Sequence, residues 1–237
     1  MAPLRLLRLI IPAFILALAS PVVAQSAGPM TARLVSVNKY NTKERARIDT
    51  AVALAVQVIN LPQFREAVLG YGGNDPTRSF VEKSAQPLGM SNQDVWTAFT
   101  RAAEGYAQEA DGELDLHLVG KHRFLRWPWG WPGHPVGYGY DSDDPPIYTY
   151  HTWIRENTIA ALAGHLVHEW THKIEFVHDK ADTETRPCSV PYVLGYQVEF
   201  FAEQLRADPG AQVRAPSSSI EDERHLVHCE TPHPAGP

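Results

Sequence analysis

Apolar residues recur every three or four positions in several stretches of the chain, which is the period of a helix with one buried face. The stretches with this period are 42–60, 91–106, 158–173 and 190–206. Alternating or β-branched and aromatic runs, which indicate strands, occupy 31–37, 113–125 and 147–154. This order of elements predicts an α+β fold: a small twisted mixed sheet, a helix directly after its last strand, and a C-terminal helix beneath.

The first 24 residues are a different kind of segment. Arg5 and Arg8 precede an apolar run at 9–19, and small residues end at Ala24. This order is typical of a secretory signal peptide, and the run is about half of the ~20 residues that a membrane-spanning helix needs. We therefore expect a secreted or periplasmic protein, with a signal peptide at 1–24, one domain at 25–208 and a flexible tail at 209–237.

Charge and cysteine content narrow the range of partners. Without residues 1–24 the chain has 19 basic against 27 acidic residues, a net charge of about −8, which gives no electrostatic case for nucleic acid. No later segment is apolar enough to span a membrane. In an exported chain Cys188 and Cys229 predict one disulfide, and two free thiols are the alternative. We expect a monomer with a protein or peptide substrate.

The strongest chemical signal is the pentapeptide His168-Glu169-Trp170-Thr171-His172 in the 158–173 helix. Residues four apart in a helix lie one turn apart on one face, so both imidazoles can bind one tetrahedral zinc ion (Zn2+) at ~2.0–2.1 Å. Glu169 is rotated about 100° from His168 and can move a proton between the attacking water and the leaving amine. A chance match on a polar helix is the alternative, which the buried face of this helix argues against.

A zinc ion needs a further ligand, and His178 lies six residues after His172. His178 would face the wrong side of a continued helix, so it reaches the metal only if the chain turns sharply after Lys173. The spacing His168-x3-His172-x5-His178 resembles that of the metzincin metallopeptidases, HExxHxxGxxH, over roughly residues 147–192. The resemblance implies a zincin-like fold, with the three histidines as zinc ligands and Glu169 as general base.

The sequence departs from the metzincin pattern at two places. Glu175 stands where the family has a turn glycine, at a position that favours φ > 0, and a side chain there costs on the order of 1 kcal/mol. The family also has a methionine turn under the metal, but Val190 stands in the place of that methionine. Tyr192 follows two residues later. Similarity to astacin-like members implies that Tyr192 binds the metal or stabilises the oxyanion, and packing on the core is the alternative.

Several other residues are alternative metal ligands or have a less specific sequence signal for function. Glu199 and Glu203, one turn apart on the last helix, are the alternative third ligands in a gluzincin-like scheme. His165 is expected to support the site or to face solvent, because a fourth histidine ligand would close the metal to substrate. The Trp- and Tyr-rich loop at 126–150 is expected either to line a substrate cleft or to pack on the core.

The expected activity is hydrolysis of peptide bonds by zinc-activated water. The resemblance implies that the strand at 147–154 pairs with an extended substrate. Two alternatives remain open. One is an amidase that acts on cell-wall or small amides with the same zinc, and the other is a non-catalytic exported protein with a structural zinc site.

Overall fold

The computed structural model describes residues 28–71, 80, 90–107, 109–122, 137–139, 143–178 and 188–207, with the backbone alone at 137–139. Its strands are β1 (Thr31–Asn38), β2 (Glu113–Lys121), β3 (Gly137–Gly139) and β4 (Pro146–Tyr150). Its helices are α1 (Thr42–Ile59), α2 (Pro62–Leu69), α3 (Asn92–Arg101), α4 (His151–Glu156), α5 (Ile159–Thr171) and α6 (Val190–Ala207). The predicted signal peptide, the three tryptophans of the aromatic loop and the predicted tail lie outside the described residues.

The four strands form one sheet in the order β1-β2-β4-β3. β1, β2 and β4 are parallel, and β3 pairs with β4 in the antiparallel direction. A register shift interrupts the pairing of β1 and β2 between Leu34 and Ser36. The long connection from β1 to β2 contains α1, α2 and α3, as pairing of parallel strands requires. The prediction of helices around a small mixed sheet is therefore confirmed in this coarse form.

The predicted strand at 147–154 is wrong in its second half and in its expected role. β4 ends at Tyr150, and α4 begins at His151. β4 also lies between β2 and β3 and pairs with both. Its backbone N–H and C=O groups therefore have partners on both sides, so β4 cannot pair with a substrate strand. The aromatic and β-branched composition of IYTYHTWI favoured a single strand, but the tertiary packing of Ile154 in the core prevails over that preference.

The helices begin where the sequence provides caps. Asn41 and Ser91 each accept a hydrogen bond from the backbone three residues on and form capping boxes, and the Thr158 side chain accepts from the Ala161 N–H. α3 ends at Arg101 rather than at the predicted residue 106. The short helix α2, with a proline in its first turn, was not predicted. No helix in the described part of the chain is both long and apolar enough to cross a membrane.

Helices α5 and α6 cross at two glycines. A Cβ added to Gly164 would lie 2.5 Å from the Gly195 carbonyl oxygen, and one added to Gly195 would lie 3.0 Å from the Cβ of His168. Side chains at either position would therefore force the helices apart. The two glycines bring the start of α6 against the face of α5 that carries the HExxH motif.

Candidate metal centre

The structure brings His168, His172 and His178 together. One ring nitrogen from each histidine lies within 4.8 Å of those of the other two. The ring centroids are 4.9–5.3 Å apart. Imidazole nitrogens at such separations can converge on one ion with small adjustments. Among the described residues, which include Glu199 and Glu203, this is the one such group of three or more potential ligands, so neither glutamate joins the two motif histidines.

The turn that brings His178 back begins immediately after Lys173. A 3₁₀ turn covers His172–Ile174, and Glu175 then takes φ 74°. The Glu175 N–H donates to the His172 carbonyl, and the Phe176 N–H donates to the Thr171 carbonyl, which together form a Schellman ending. Glu175 therefore takes the left-handed conformation that the family's glycine position favours, although it is not a glycine.

His172 is held by the same turn. Its Nδ1 lies 2.7 Å from the Phe176 carbonyl oxygen, which can only accept, so Nδ1 carries the proton and Nε2 has a free lone pair. Burial lowers the pKa of His172 to about 4, against the opposing effect of this hydrogen bond. The ring is therefore neutral at pH 7, which is the state that binds a metal. A backbone carbonyl at the second ring nitrogen is the usual support for a metal-bound histidine.

Tyr192, near the start of α6, lies against two of the three histidines. Its ring centroid is 4.5 Å from that of His168 and 4.8 Å from that of His178. The ring of Tyr196, one turn later, follows at 5.9 Å from that of Tyr192. The close crossing of Gly195 over His168 explains why the start of α6 reaches the group. Tyr192 therefore borders the histidine group through His168 and His178 rather than packing in the core alone.

Glu169 is buried, with 5% of its surface exposed. Its Oε1 lies 3.7 Å from Nδ1 of His165, one turn earlier on α5. The Nε2 of His165 in turn lies 3.1 Å from the hydroxyl of Thr149 on β4. His165 does not belong to the metal-binding group, and it does not face solvent. Of the two expectations for this residue, support of the site agrees with its location.

A second buried glutamate, Glu104, binds the tryptophan in the middle of the motif. Trp170 is fully buried, and its Nε1–H donates to Oε1 of Glu104 at 2.8 Å. The same oxygen accepts the Asp115 N–H at 3.1 Å. Burial raises the pKa of Glu104, while both hydrogen bonds act in the opposite direction. Next to the motif, the fully buried Lys173 donates to the carbonyl of Asp144.

Sequence reasoning did not identify Thr149, Glu104 or the two crossing glycines. The glycines had a readable signal, because an isolated glycine within a helical pattern commonly marks a close packing contact. Thr149 and Glu104 had none, since their partners lie 16 and 66 residues away. Cys188 is buried, but Cys229 lies outside the described residues, so the disulfide stays a prediction.

The chain matches no known family model, no curated protein and no solved structure. The resemblance to metzincins therefore rests on the three clustered histidines and on the turn that joins them. The arrangement can bind one divalent metal ion through three imidazole nitrogens. A buried carboxylate directly follows the first ligand in the chain, and a phenol borders the group.

Proposed function

We propose that this protein is an exported, zinc-dependent peptidase of the metzincin type, in which Glu169 acts as general base. The observation that carries the proposal is the grouping of His168, His172 and His178 within 4.8 Å. A chance match to the motif does not explain why His178, six residues after His172, lies beside the other two histidines. The tight turn at Glu175 brings it back at a conformational cost.

The donor set fits zinc better than the other common metals. Three imidazole nitrogens suit a borderline-soft ion, whereas calcium and magnesium prefer oxygen ligands. Structural zinc sites have four protein ligands, and catalytic sites have three. The described residues supply the three ligands that a catalytic site requires. A zinc ion held by these histidines would supply Lewis acidity, which lowers the pKa of water at the metal to ~7 and polarises a carbonyl oxygen.

The chain's own groups then have separate tasks. The carboxylate of Glu169 accepts the proton of the attacking water and delivers it to the leaving nitrogen. The phenol of Tyr192, beside His168 and His178, donates to the oxygen that becomes negatively charged. The hydrogen bond from His172 to the Phe176 carbonyl fixes the orientation of that ligand.

An extended peptide is the substrate that best suits the sheet. β3 is the outermost strand of the described sheet on the side beyond β4, and it contacts α5. A peptide can add to such an edge through backbone hydrogen bonds, without a requirement for particular side chains. Small or cell-wall amides do not offer a continuous backbone for this pairing, and they remain the alternative substrates.

The metal site is tested by measuring zinc in the purified protein and in single variants. We expect about one zinc per chain, loss of zinc in His172→Ala and His178→Ala, and retention in Glu199→Gln and Glu203→Gln. His122→Ala is the matched control, because His122 is an exposed histidine outside the metal group. Zinc retained by His178→Ala and lost from Glu199→Gln or Glu203→Gln would contradict the ligand set.

The activity is tested with casein and with purified peptidoglycan. We expect cleavage of casein, and a loss of roughly 10²- to 10⁴-fold in Glu169→Gln with full zinc content, as general acid–base catalysis requires. Cleavage of peptidoglycan alone would favour the amidase. Zinc binding with no turnover on either substrate would favour a structural site.

A further inference from the structure

His165 lies on the same face of α5 as Glu169, one turn earlier in the chain. Its imidazole is almost completely buried, and Nδ1 faces Oε1 of Glu169 at 3.7 Å. This separation is longer than a hydrogen bond, but an N–H in such a dry location still acts electrostatically on a carboxylate. His165 lies outside the group of metal-binding nitrogens, so zinc binding does not explain why it is there.

Two neighbours fix the His165 ring. The hydroxyl of Thr149 lies 3.1 Å from Nε2, and the indole of Trp153 packs on the ring with centroids 4.7 Å apart. Thr149 belongs to β4 and Trp153 to α4, so the ring is held by elements other than its own helix. The position of Nδ1 relative to Glu169 is therefore set by the tertiary structure.

The charge and tautomer of His165 follow from these contacts. Burial lowers the pKa of His165 to about 3, so the ring is neutral at pH 7 and has a single N–H. With that N–H on Nδ1, a donor faces the carboxylate, and the Thr149 hydroxyl donates to Nε2. The other tautomer would direct a lone pair at the carboxylate. Because the hydroxyl can rotate to serve either tautomer, the carboxylate decides in favour of Nδ1–H.

We infer that His165 is a positioning residue for Glu169, which directs the Nδ1–H donor at the carboxylate and fixes where that carboxylate stands beside the metal group. The catalytic part of this inference rests on the proposed hydrolase function. The orientation of the ring does not, because it follows from Thr149, Trp153 and Glu169 alone. His165 does not touch the reacting atoms, and it acts through Glu169.

The tautomer can be measured without any activity. Long-range ¹H–¹⁵N correlation spectra of protein labelled with ¹⁵N-histidine distinguish Nδ1–H from Nε2–H, and His165→Asn identifies the signal. We expect the Nδ1–H form in the wild type and in Thr149→Val, and a gain of the Nε2–H form in Glu169→Leu, which lacks the acceptor. An Nε2–H ring in the wild type, or a tautomer unchanged in Glu169→Leu, would overturn the inference.

The effect on turnover separates positioning from packing. In His165→Asn the amide nitrogen can replace Nδ1 toward Glu169, whereas in His165→Gln the amide replaces Nε2 toward Thr149. We expect His165→Gln to lower kcat on the order of 10-fold or more, the usual effect of losing such a supporting contact, with KM and zinc content unchanged. His165→Asn is expected to retain most of kcat. Equal kcat in the two variants would mean that His165 only packs.

The proposed function and the positioning role of His165 can be contradicted independently of each other. If zinc-loaded wild-type protein cleaves neither casein nor peptidoglycan, the proposed function fails, while the tautomer measurement still decides the orientation of His165. If the protein is active and the two variants behave alike, the function stands and the positioning role is excluded.

Discussion

Two buried pairs of a histidine and a glutamate in the described part of the chain differ in geometry. In the first, Nδ1 of His151 lies 3.0 Å from Oε2 of Glu44, and the partners come from two helices, α4 and α1. In the second, Nδ1 of His165 lies 3.7 Å from Oε1 of Glu169, and both belong to α5. The first pair joins elements 107 residues apart, whereas the second joins consecutive turns of one helix.

The surroundings of the two carboxylates explain the difference. Oε2 of Glu44 also accepts the Asn41 N–H of the capping box, and Oε1 lies 3.2 Å from Nε of Arg155. This carboxylate therefore stabilises the start of α1 and its contact with α4. Glu169 instead directly follows the first of the clustered histidines in the chain. A buried pair that joins distant elements serves the fold, while a pair within one helix beside a metal group can serve chemistry.

The largest effect on stability is expected at the first pair. Glu44→Ala leaves the Asn41 N–H and Nδ1 of His151 without their acceptor, and we expect a loss of about 2–4 kcal/mol in the free energy of unfolding. Glu169→Ala is expected to cost less, because the contact of Glu169 with His165 lies within one helix. Urea unfolding with a chelator present measures both without a contribution from zinc. Equal losses in the two variants would contradict the comparison.

The surroundings of the second pair depend on the crossing of α5 and α6. Gly164→Ala introduces a Cβ 2.5 Å from the Gly195 carbonyl oxygen, so the helices must separate, and we expect a loss of about 1–3 kcal/mol. Because Gly195 also lies against the ligand His168, the same movement disturbs the metal group, and zinc affinity should weaken as well. Gly28→Ala is the control, because an added Cβ there meets nothing within 4 Å. Thermal melts and zinc titrations measure the two effects. Unchanged zinc affinity would show that the metal site does not depend on the close crossing of the helices.

The turn at Glu175 gives a smaller change of the opposite sign. Its φ of 74° suits glycine, so Glu175→Gly is expected to stabilise the protein by about 1 kcal/mol. Because the hydrogen bonds of the turn are made by the backbone, the three histidines should still bind zinc. A variant that is less stable, or that loses zinc, would show that the Glu175 side chain has a role of its own.

The smallest effect concerns Glu104, the buried carboxylate bound to Trp170. Burial raises the pKa of Glu104 above the ordinary 4.5. The carboxyl group therefore ionises at a lower pH in the unfolded chain than in the folded protein. As pH rises between these two pKa values, the free energy of unfolding falls. Glu104→Gln keeps an acceptor for Trp170 without the charge. Its stability relative to wild type should therefore be higher at pH 7 than at pH 4, as measured by urea unfolding. A difference that is independent of pH would exclude ionisation as the cause.

The regular elements with long periodic patterns were predictable. The helices at α1, α5 and α6 and the strands β1 and β2 begin within one or two residues of their predicted starts, because caps and apolar periodicity are local signals. α4 was not predicted, since its composition favours a strand. β3 was not predicted either, because its three residues are held in place by pairing with β4, and no local preference reveals such a partner.

The candidate site also has one part that the sequence predicts and another that depends on the tertiary structure. The sequence by itself determined that His168 and His172 share a helix face with Glu169 between them, because helix geometry fixes the relation of residues one to four apart. Only the tertiary structure decided that His178 rather than Glu199 or Glu203 joins them, through a left-handed Glu175, and that Tyr192 borders the group, through the contact of Gly164 with Gly195. Those outcomes depend on backbone hydrogen bonds and close helix packing between distant segments, which no short-range pattern specifies.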